Sequence, residues 1–330
     1  MRCLIVTAFA TPDGLGADLR IELEALGHEV RGFAYRRDNP LYKNKGIKEL
    51  YQRWIVRSLE REIDAWRPQL VIVMKGGPIG PDLIRRAKRR HDTIVVNCFP
   101  DNPLLMIPFD CIEAYDVFFT KERYALRILE QAGLKNLYYL PPHCSPQFHY
   151  PVTLSPEEQA RFGSPISFVG SHYPYRGRFF QELLGYPVKI WGSGWQKAHP
   201  EVRRMAQRQS VWGRAKLCVY SGSTLSLNHH HPLNDIVGIN IRTFELAGCG
   251  ACQLVDFKDE LPSLFAPGEE VVVYTEPGDL RKKIDYYLAH PDEARAIGEN
   301  GLRRALKEHT ARHRLQEILH AVEARFGKRW

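Results

Sequence analysis

Glu245 is the residue whose surroundings most strongly suggest chemistry. It lies in the segment 240–250 (NIRTFELAGCG), between the apolar Phe244 and Leu246, on a predicted helix that precedes a strand. A carboxylate in such company needs a partner, because burying it unpaired costs several kcal/mol. A ribose diol is one candidate partner. The other is Arg242, one helical turn earlier, through an i, i+3 ion pair.

Glycine-containing turns follow four of the predicted strands, two in each half of the chain. A glycine there lets phosphate or sugar oxygens approach the backbone and the N-terminus of the next helix. Gly170 and Ser171 are followed by Arg176 and Arg178 at a predicted helix start, where an arginine could hold a diphosphate. Each turn alone is more often a plain tight turn, and none is a complete dinucleotide fingerprint. The turns are 14–16, 76–80, 170–171 and 192–194.

Three consecutive histidines, at 229–231, follow Asn228 at another predicted strand end. We expect one of them, His229 or His231, to contact phosphate or sugar oxygens. A metal is not expected, because zinc sites normally need two ligand pairs and the chain has one C-x-x-C, at 249–252. An Asp-x-Asp sequence, the usual holder of a divalent ion beside a nucleotide diphosphate, does not occur in the 330 residues.

Asp101 is the candidate general base of the first half. It stands in FPDNP (99–103), after a predicted strand and between two prolines. A carboxylate held there could take the proton of a hydroxyl nucleophile. The alternative is an Asx-turn in which Asp101 only accepts hydrogen bonds from the backbone. Asp13 and His28 are weaker candidates for the same task.

The elements that must position these residues alternate along the chain. Short apolar runs, such as Leu70-Val71-Ile72-Val73, are typical of strands buried on both faces, and segments of helical period separate them. The pattern predicts an α/β fold of doubly wound parallel sheets, which bind ligands at strand ends beside a cleft. The predicted strands are 3–9, 29–34, 70–74, 93–98, 117–120 and 137–140, then 166–169, 188–191, 217–220, 225–227, 252–255 and 271–274.

Six of the 22 prolines lie between residues 141 and 165, which indicates a boundary between two domains. We therefore expect a first domain over 1–145, a proline-rich linker over 146–165 and a second domain over 166–310. The last residues, 311–330, are predicted to form a helix that packs back across the boundary.

Composition limits the classes of function. The chain has 330 residues, of which 44% are hydrophobic and 25% charged, as in soluble globular proteins of about two domains. Its net charge of +8 suggests an anionic partner, although a solvated basic surface fits equally well. The longest basic cluster, at 85–90, is interrupted by Ala87, so a dedicated nucleic-acid arm is not expected.

The N-terminus and the cysteines favour the cytoplasm. Met1-Arg2 leads directly into Cys3-Leu4-Ile5-Val6 with no signal-peptide cleavage region behind it. No apolar run is long enough to predict a transmembrane segment. Seven cysteines at irregular spacing indicate reduced thiols.

The ordered set of motifs in the second half resembles the CgeB-like glycosyltransferases, the spore maturation protein family. The likeness covers about residues 165–316, and the first half matches more loosely through FPDNP. The matching segments are 167–171 (SFVGS), 191–195 (WGSGW), 225–228 (LSLN), 242–250 (RTFELAGCG), 269–274 (EEVVVY), 284–291 (IDYYLAHP) and 309–314 (HTARHR).

The resemblance implies a GT-B architecture, two Rossmann-like domains facing a cleft, with the acceptor in the N-terminal domain and the donor in the C-terminal one. It implies that Glu245 binds the nucleotide ribose. The Gly170–Ser171 turn and the backbone at Gly238, Ile239 and Asn240 would hold the diphosphate. Many retaining members of that architecture carry a second glutamate eight residues earlier, where this chain has Val237, so the stereochemistry stays open.

The expected function is a metal-independent glycosyltransferase of hexosyltransferase type. The donor would be a UDP-, dTDP- or GDP-sugar, and the acceptor a hydroxyl of a glycan, a small molecule or a protein, with no other cofactor and no nucleic acid. A peripheral membrane contact is left open. The alternatives are a nucleotide-sugar epimerase or hydrolase on the same fold, and a non-catalytic sugar-nucleotide-binding assembly protein.

Overall fold

A computed structural model describes residues 1–8, 14, 16–36 and 45–328 of the chain. These residues divide into two compact units. Unit 1 comprises Met1–Pro141, Leu233–Ile236 and Ala311–Trp330, and unit 2 comprises Pro142–Pro232 and Val237–Thr310. Phe9 of the predicted strand 3–9, Leu15 of the first glycine turn and the candidate Asp13 lie outside the described residues.

Unit 1 contains a sheet of six parallel strands in the order β2-β1-β3-β4-β5-β6. Its order changes direction between β1 and β3, which makes this pair the switch point of the sheet. The strands are β1 (Arg2–Thr7), β2 (Glu29–Ala34), β3 (Leu70–Met74), β4 (Ile94–Phe99), β5 (Val117–Thr120) and β6 (Leu137–Tyr139). The helices are α1 (Ala17–Ala25), α2 (Lys45–Trp66), α3 (Pro81–His91), α4 (Phe109–Ala114), α5 (Arg123–Gln131) and, from the end of the chain, α14 (Ala311–Phe326).

Both faces of this sheet are covered, because successive strand residues point to opposite sides. Leu4 and Val6 of β1 pack with apolar residues of α2, α3, α4 and α5. Cys3 and Ile5 pack with α1 and α14 on the other side. This double burial explains why the strands are continuous apolar runs rather than alternating ones.

Unit 2 contains a sheet of five parallel strands in the order β11-β10-β9-β7-β8, with its switch point between β7 and β9. The strands are β7 (Ser164–Val169), β8 (Val188–Trp191), β9 (Ser223–Asn228), β10 (Gln253–Asp256) and β11 (Val272–Tyr274). The helices are α6 (Pro156–Phe162), α7 (Pro174–Gln181), α8 (Pro200–Met205), α9 (Gly213–Ser221), α10 (Ile241–Gly248), α11 (Leu261–Leu264), α12 (Pro277–Ala289) and α13 (Pro291–Glu308). The predicted fold class, doubly wound parallel α/β, is confirmed.

Two predicted elements differ from the structure. The run Leu217-Cys218-Val219-Tyr220, predicted as a strand, is buried inside the helix α9. A fully apolar run of four residues has no period, so it fits a buried helix as well as a buried strand. The proline-rich stretch 146–165 contains the helix α6, whose Pro156 occupies the first turn and whose Ser155 and Glu158 form a capping box. Proline is tolerated there because its missing N–H would be unpaired in any case.

The basic cluster of α3 is largely neutralised within unit 1. Arg86 and Arg90 both form ion pairs with Glu60 of α2, and Arg90 also contacts Asp64. Lys88 pairs with Asp116 at the start of β5. At this cluster the excess basic charge therefore serves the packing of two helices and a strand, which favours the surface interpretation over an anionic partner.

None of the helices within the described residues is long and apolar enough to span a membrane. The seven cysteines all fall within those residues, and each is a buried free thiol. Burial raises the pKa of Cys252, one of the C-x-x-C pair, to about 12. Such a thiol stays protonated and does not favour metal binding.

Candidate functional site

The turns after β7 and β8 in unit 2 approach each other more closely than most residues would allow. Gly192 has φ +148°, and a Cβ built there would lie 2.0 Å from the carbonyl oxygen of Gly170. The Gly170 N–H donates to Trp191 O at 2.8 Å, and the Trp195 indole donates to Gly170 O at 2.8 Å. Glycine at 192 is thus required by the close approach, and the result is a rigid turn of small residues at the strand ends.

Arg176 links the two strands of the switch point. It lies in α7 and donates from Nη1 to Ser171 O at 3.0 Å and from Nη2 to His229 O at 3.4 Å. Its guanidinium group also lies 5.3 Å from the ring centre of Tyr173 and 5.5 Å from that of Tyr175. The cation is therefore held at the carboxyl end of β7, beside the predicted diphosphate turn. Arg178 instead lines a cavity of about 480 Å³ on the side of His172 and Lys197.

The three histidines at 229–231 have different environments. His229 stacks on Phe179 at 4.2 Å between ring centres, and its Nδ1 lies 3.0 Å from the Tyr274 hydroxyl. Burial lowers the pKa of His229 to about 4, with Arg176 adding to the decrease and Asp256 opposing it. The ring is consequently neutral near pH 7, where it would meet an anion as a dipole rather than as a cation.

The other two histidines differ in exposure. His230 is buried, and both its backbone N–H and its Nδ1 contact Asp256 Oδ1, at 2.8 and 2.7 Å. His231 packs edge-on against the rings of Tyr173 and Tyr175. Of the three histidines, His230 is therefore bound to Asp256 of β10, and the other two lie among aromatic side chains at α7.

Asn228 and Asn240 join the end of β9 to the start of α10. Their side-chain amides exchange hydrogen bonds at 3.2 and 2.9 Å, and Asn240 accepts the Thr243 N–H as the helix cap. Asn228 is buried and also donates to Thr243 Oγ1 at 3.0 Å. Both amides therefore fix the loop geometry. Ile239, predicted as part of the diphosphate cradle, has its side chain in the core, so only its backbone remains for that role.

Glu245 lies on α10, as predicted, but the nitrogen atoms nearest to its carboxylate belong to residues that the sequence did not indicate. Lys216 Nζ of α9 lies 3.2 Å from Glu245 Oε1, and His149 Nε2 lies 3.7 Å from the same oxygen. The other oxygen, Oε2, is buried and has no hydrogen-bond partner among the described residues. This unequal use of the two oxygens is the most informative feature of the site.

The charge of Glu245 is maintained by its surroundings. Burial raises its pKa, but Lys216, Arg242 and His149 outweigh that effect and lower the pKa to about 2. The Nη1 of Arg242 lies 3.0 Å from the point where a Cβ on Gly170 would stand, so Arg242 connects the carboxylate to the glycine turn. The expected i, i+3 partner thus acts on Glu245 through its field.

A cavity of about 810 Å³ opens beside the same turn. Gly192 and Ser193 line it together with Gln209 and Ser210, and the Gly192 N–H donates to Gln209 O at 2.9 Å. Ser193 Oγ also lies 3.0 Å from Ser171 Oγ. The cavity, the glycine turn, Arg242 and Glu245 are therefore connected through neighbouring residues of unit 2.

Asp101 of unit 1 forms an ion pair with Lys75, which follows β3 at the switch point of that sheet. The Asx-type cap is made by the next residue, Asn102, whose Oδ1 accepts the Leu104 N–H at 3.2 Å. The carboxylate of Asp101 is therefore not used in the turn. His28 precedes β2 and contacts the N-terminal amine at 3.4 Å, so it lies at the amino ends of the strands, whereas Asp101 follows the carboxyl end of β4.

Among the residues that the structure describes, no group of three or more His, Cys, Asp and Glu side chains is placed to hold a metal ion. Whether the chain acts without a metal stays a prediction. Lys216 and His149 were missed because one directly precedes the run 217–220 that was predicted as a strand, and the other lies in the predicted linker. A buried carboxylate signals that cations must be near, but their positions depend on tertiary packing.

Known proteins are similar to this chain both in the sequence of its second half and in its overall fold. Residues 176–320 match the model of the family described as Glycosyl transferase-like. Sucrose-phosphate synthase from Thermosynechococcus elongatus superimposes with a TM-score of 0.72, at 13% identity over 99% of each chain. HepE of Anabaena, solved in complex with UDP-glucose, superimposes with a TM-score of 0.65, at 13% identity over 98% of this chain and 100% of that one. The chain has a GT-B type fold with Rossmann-like units, and its residues 176–320 are similar to the Glycosyl transferase-like family.

A curated protein with a similar sequence gives a more specific comparison. The chain is 26% identical over 250 residues to the spore protein CgeB of Bacillus subtilis, covering 70% of this chain and 76% of that protein. The predicted resemblance to the CgeB-like glycosyltransferases is thereby confirmed, and glycosyltransferase activity in general is supported.

Proposed function

We propose that the protein transfers a hexosyl group from a nucleotide-diphosphate sugar to a hydroxyl group, without a metal ion. One observation carries the proposal. Glu245 keeps an ionised and buried oxygen, Oε2, with no partner among the described residues, although such an atom is costly to leave unpaired. The ribose hydroxyls of a bound nucleotide would satisfy it.

The remaining parts of the donor fit around that contact. The diphosphate would lie on the Gly170–Ser171 turn and the backbone of Gly238 and Ile239, near the start of α10. Arg176 and Arg242 would balance the negative charge of the diphosphate. Among the histidines, His231 is the one that we expect to contact it. The cavity beside Gly192 would take the nucleobase, whose edges could bond Gln209 and Ser210.

The chemistry follows from these placements. The acceptor hydroxyl attacks the anomeric carbon, the bond from that carbon to the diphosphate oxygen breaks, and the diphosphate leaves with the electron pair. Arg176 and the amide groups at the start of α10 would stabilise the charge that develops on it. Asp101, which is not used in its own turn, would take the hydroxyl proton. The acceptor itself is a glycan, a small molecule or a protein.

Binding is tested first. Thermal unfolding is measured with ADP, CDP, GDP, UDP and dTDP and the corresponding sugars, starting with UDP-glucose because HepE binds it. Ligands that bind the native state raise the melting temperature by mass action. The variants Glu245→Gln and Arg176→Ala should lose that shift. Arg178→Ala, on the same helix but lining the other cavity, should keep it.

Turnover is then followed by release of nucleoside diphosphate, with and without candidate acceptors. Release that requires an acceptor supports the transferase. Altered or released sugar without any acceptor would point to an epimerase or hydrolase, and binding without turnover to an assembly protein. If no nucleotide shifts the melting temperature, or if Glu245→Gln and Arg176→Ala bind normally, the proposal is wrong.

A further inference from the structure

Two nitrogen atoms from separate parts of unit 2 converge on one oxygen of Glu245. Lys216 reaches Oε1 from α9 at 3.2 Å, and His149 reaches it from the segment before α6 at 3.7 Å. Both side chains are shielded, with 19% of Lys216 and 10% of His149 exposed. Lys216 hydrogen-bonds Oε1, and His149 Nε2 lies against the same oxygen from a second element, so rotation of the carboxylate is restricted and its second oxygen has a defined direction.

The orientation of His149 is fixed by its other nitrogen. Nδ1 accepts the Ser145 backbone N–H at 3.0 Å, so in this ring the hydrogen is on Nε2, which faces Glu245. The His149 N–H in turn donates to Ser145 O at 2.7 Å, which closes the turn. Both the position and the tautomer of the imidazole are therefore set by the backbone.

The sequence of α10 makes room for this ring. A Cβ on Gly248, one turn after Glu245, would lie 3.1 Å from the Cβ of His149 and 2.9 Å from that of Cys144. Any larger residue at 248 would push the segment 144–149 away from the helix. Gly248 thus allows His149 to approach the face of α10 that carries Glu245.

We infer that Lys216 and His149 are positioning residues that hold Oε1 of Glu245 and thereby present Oε2 to the ribose hydroxyls of the donor. This inference rests on the proposed function. It adds that the preference for a ribose diol depends on two residues that need not touch the nucleotide. Loss of either residue leaves a carboxylate that can turn, and the gain from the diol falls.

The test compares each nucleoside diphosphate with its 2′,3′-dideoxy counterpart by titration calorimetry at one salt concentration, using UDP, GDP, ADP and CDP as probes. A hydrogen bond to a charged group corresponds to about 10- to 100-fold in affinity. The wild-type protein should therefore prefer the ribonucleotide by about that factor. In Lys216→Met the ratio should fall to about threefold or less, His149→Gln should fall in between, and Lys216→Arg should recover part of the loss.

The ratio separates positioning from stability, because a general weakening of the site affects both nucleotides alike. Lys189→Met is the matched control, since Lys189 is also a partly buried lysine but donates to Gly163 O at 2.7 Å. It should leave the ratio unchanged. If Lys216→Met fails to fold, Lys216→Arg and His149→Gln decide the question.

The failures are distinguishable. A wild-type protein that binds no nucleotide overturns the proposed function and the inference together. Binding without preference for the diol means that Glu245 does not face the ribose. A wild-type preference that persists undiminished in Lys216→Met and His149→Gln overturns the positioning role alone.

Discussion

Each unit places a carboxylate and a lysine near the carboxyl ends of its strands, but the two pairs differ in solvation. Lys75 and Asp101 in unit 1 are 34% and 23% exposed, whereas Lys216 and Glu245 in unit 2 are 19% and 12% exposed. A pair in contact with water exchanges partners at little cost, and a shielded pair does not. The less shielded pair therefore suits a carboxylate that must accept and release a proton, as proposed for Asp101. The more shielded pair suits a carboxylate that must stay ionised, as proposed for Glu245.

The two lysines also differ in backbone conformation, which is unusual at Lys75 and regular at Lys216. Lys75 has φ +67°, a conformation that L-residues rarely adopt, whereas Lys216 lies in a regular helix. The Tyr35 hydroxyl brackets Lys75, donating to Met74 O and accepting the Gly76 N–H, each at 3.2 Å. Such a conformation costs roughly 1–3 kcal/mol and persists where its surroundings enforce it. In unit 1 an unusual backbone conformation orients a partly exposed lysine, and in unit 2 packing holds a more shielded one.

The largest expected effect concerns Asp101, the less shielded of the two carboxylates. Asp101→Asn should lower turnover by about 10²- to 10⁴-fold, the usual contribution of a general base, and leave the affinity for the donor unchanged. Acceptor-dependent release of nucleoside diphosphate measures the rate, and calorimetry the affinity. Asp110→Asn, an exposed aspartate in the first turn of α4, is the control and should change neither. Equal turnover in the two variants would show that Asp101 is not the general base.

The turn beneath the shielded site gives the next effect. Gly192→Ala would bring a Cβ to 2.0 Å from a backbone oxygen, and the backbone cannot yield as a side chain can. We expect a loss of roughly 3 kcal/mol in the free energy of unfolding of unit 2. Gly77→Ala in the turn after β3 has no atom within 4 Å of the new Cβ and should cost less than about 1 kcal/mol. Denaturant unfolding followed by tryptophan fluorescence, to which buried Trp66 of unit 1 and Trp191 of unit 2 both contribute, measures this with Gly77→Ala as the control. A cost below that of the control would contradict the close approach.

The two lysines test the comparison directly. Lys216→Met leaves a shielded carboxylate without its nearest cation, so we expect a loss of roughly 2–3 kcal/mol in the free energy of unfolding. Lys75→Met breaks a more exposed pair and should cost at most about 1 kcal/mol. Urea unfolding of both variants under the same conditions measures the difference. Equal costs would show that solvation does not distinguish the two pairs.

The sheets were predictable because burial on both faces leaves a direct mark on the sequence. Continuous β-branched runs such as Val71-Ile72-Val73 are typical of strands covered by helices on both sides, and glycines mark the strand ends. The run 217–220 was not predictable in the same way, because α9 is buried and carries no polar face over those four residues. The period that separates helix from strand is lost when every residue is apolar.

For the candidate site, the sequence indicated the groups that need partners but not the partners. Glu245 stood out because its neighbours on the helix are apolar. Lys216 lies 29 residues away, and its contact with Glu245 depends on how α9 packs beside α10. Asp101 and Asn102 are adjacent acceptors, and the structure uses Asn102 as the cap while Asp101 pairs with Lys75. The site roles of these residues stay predictions, while the contacts among them are structural facts.

The last expected effect is a pH dependence of the stability of unit 2 that comes from His229. His229 has a pKa of about 4 in the folded protein, against an ordinary value of 6.5, because burial disfavours the charged ring. Below pH 6.5 the unfolded chain binds a proton that the folded protein does not. The free energy of unfolding should then fall by roughly 1 kcal/mol per pH unit as the pH drops from 6.5 towards 4, and level off below 4.

His229→Phe keeps the stacking on Phe179 and should abolish that part of the slope. The carboxylates titrate in both proteins, so the difference between the two unfolding curves isolates the histidine. Identical slopes would mean that the His229 ring is not held neutral among its aromatic neighbours.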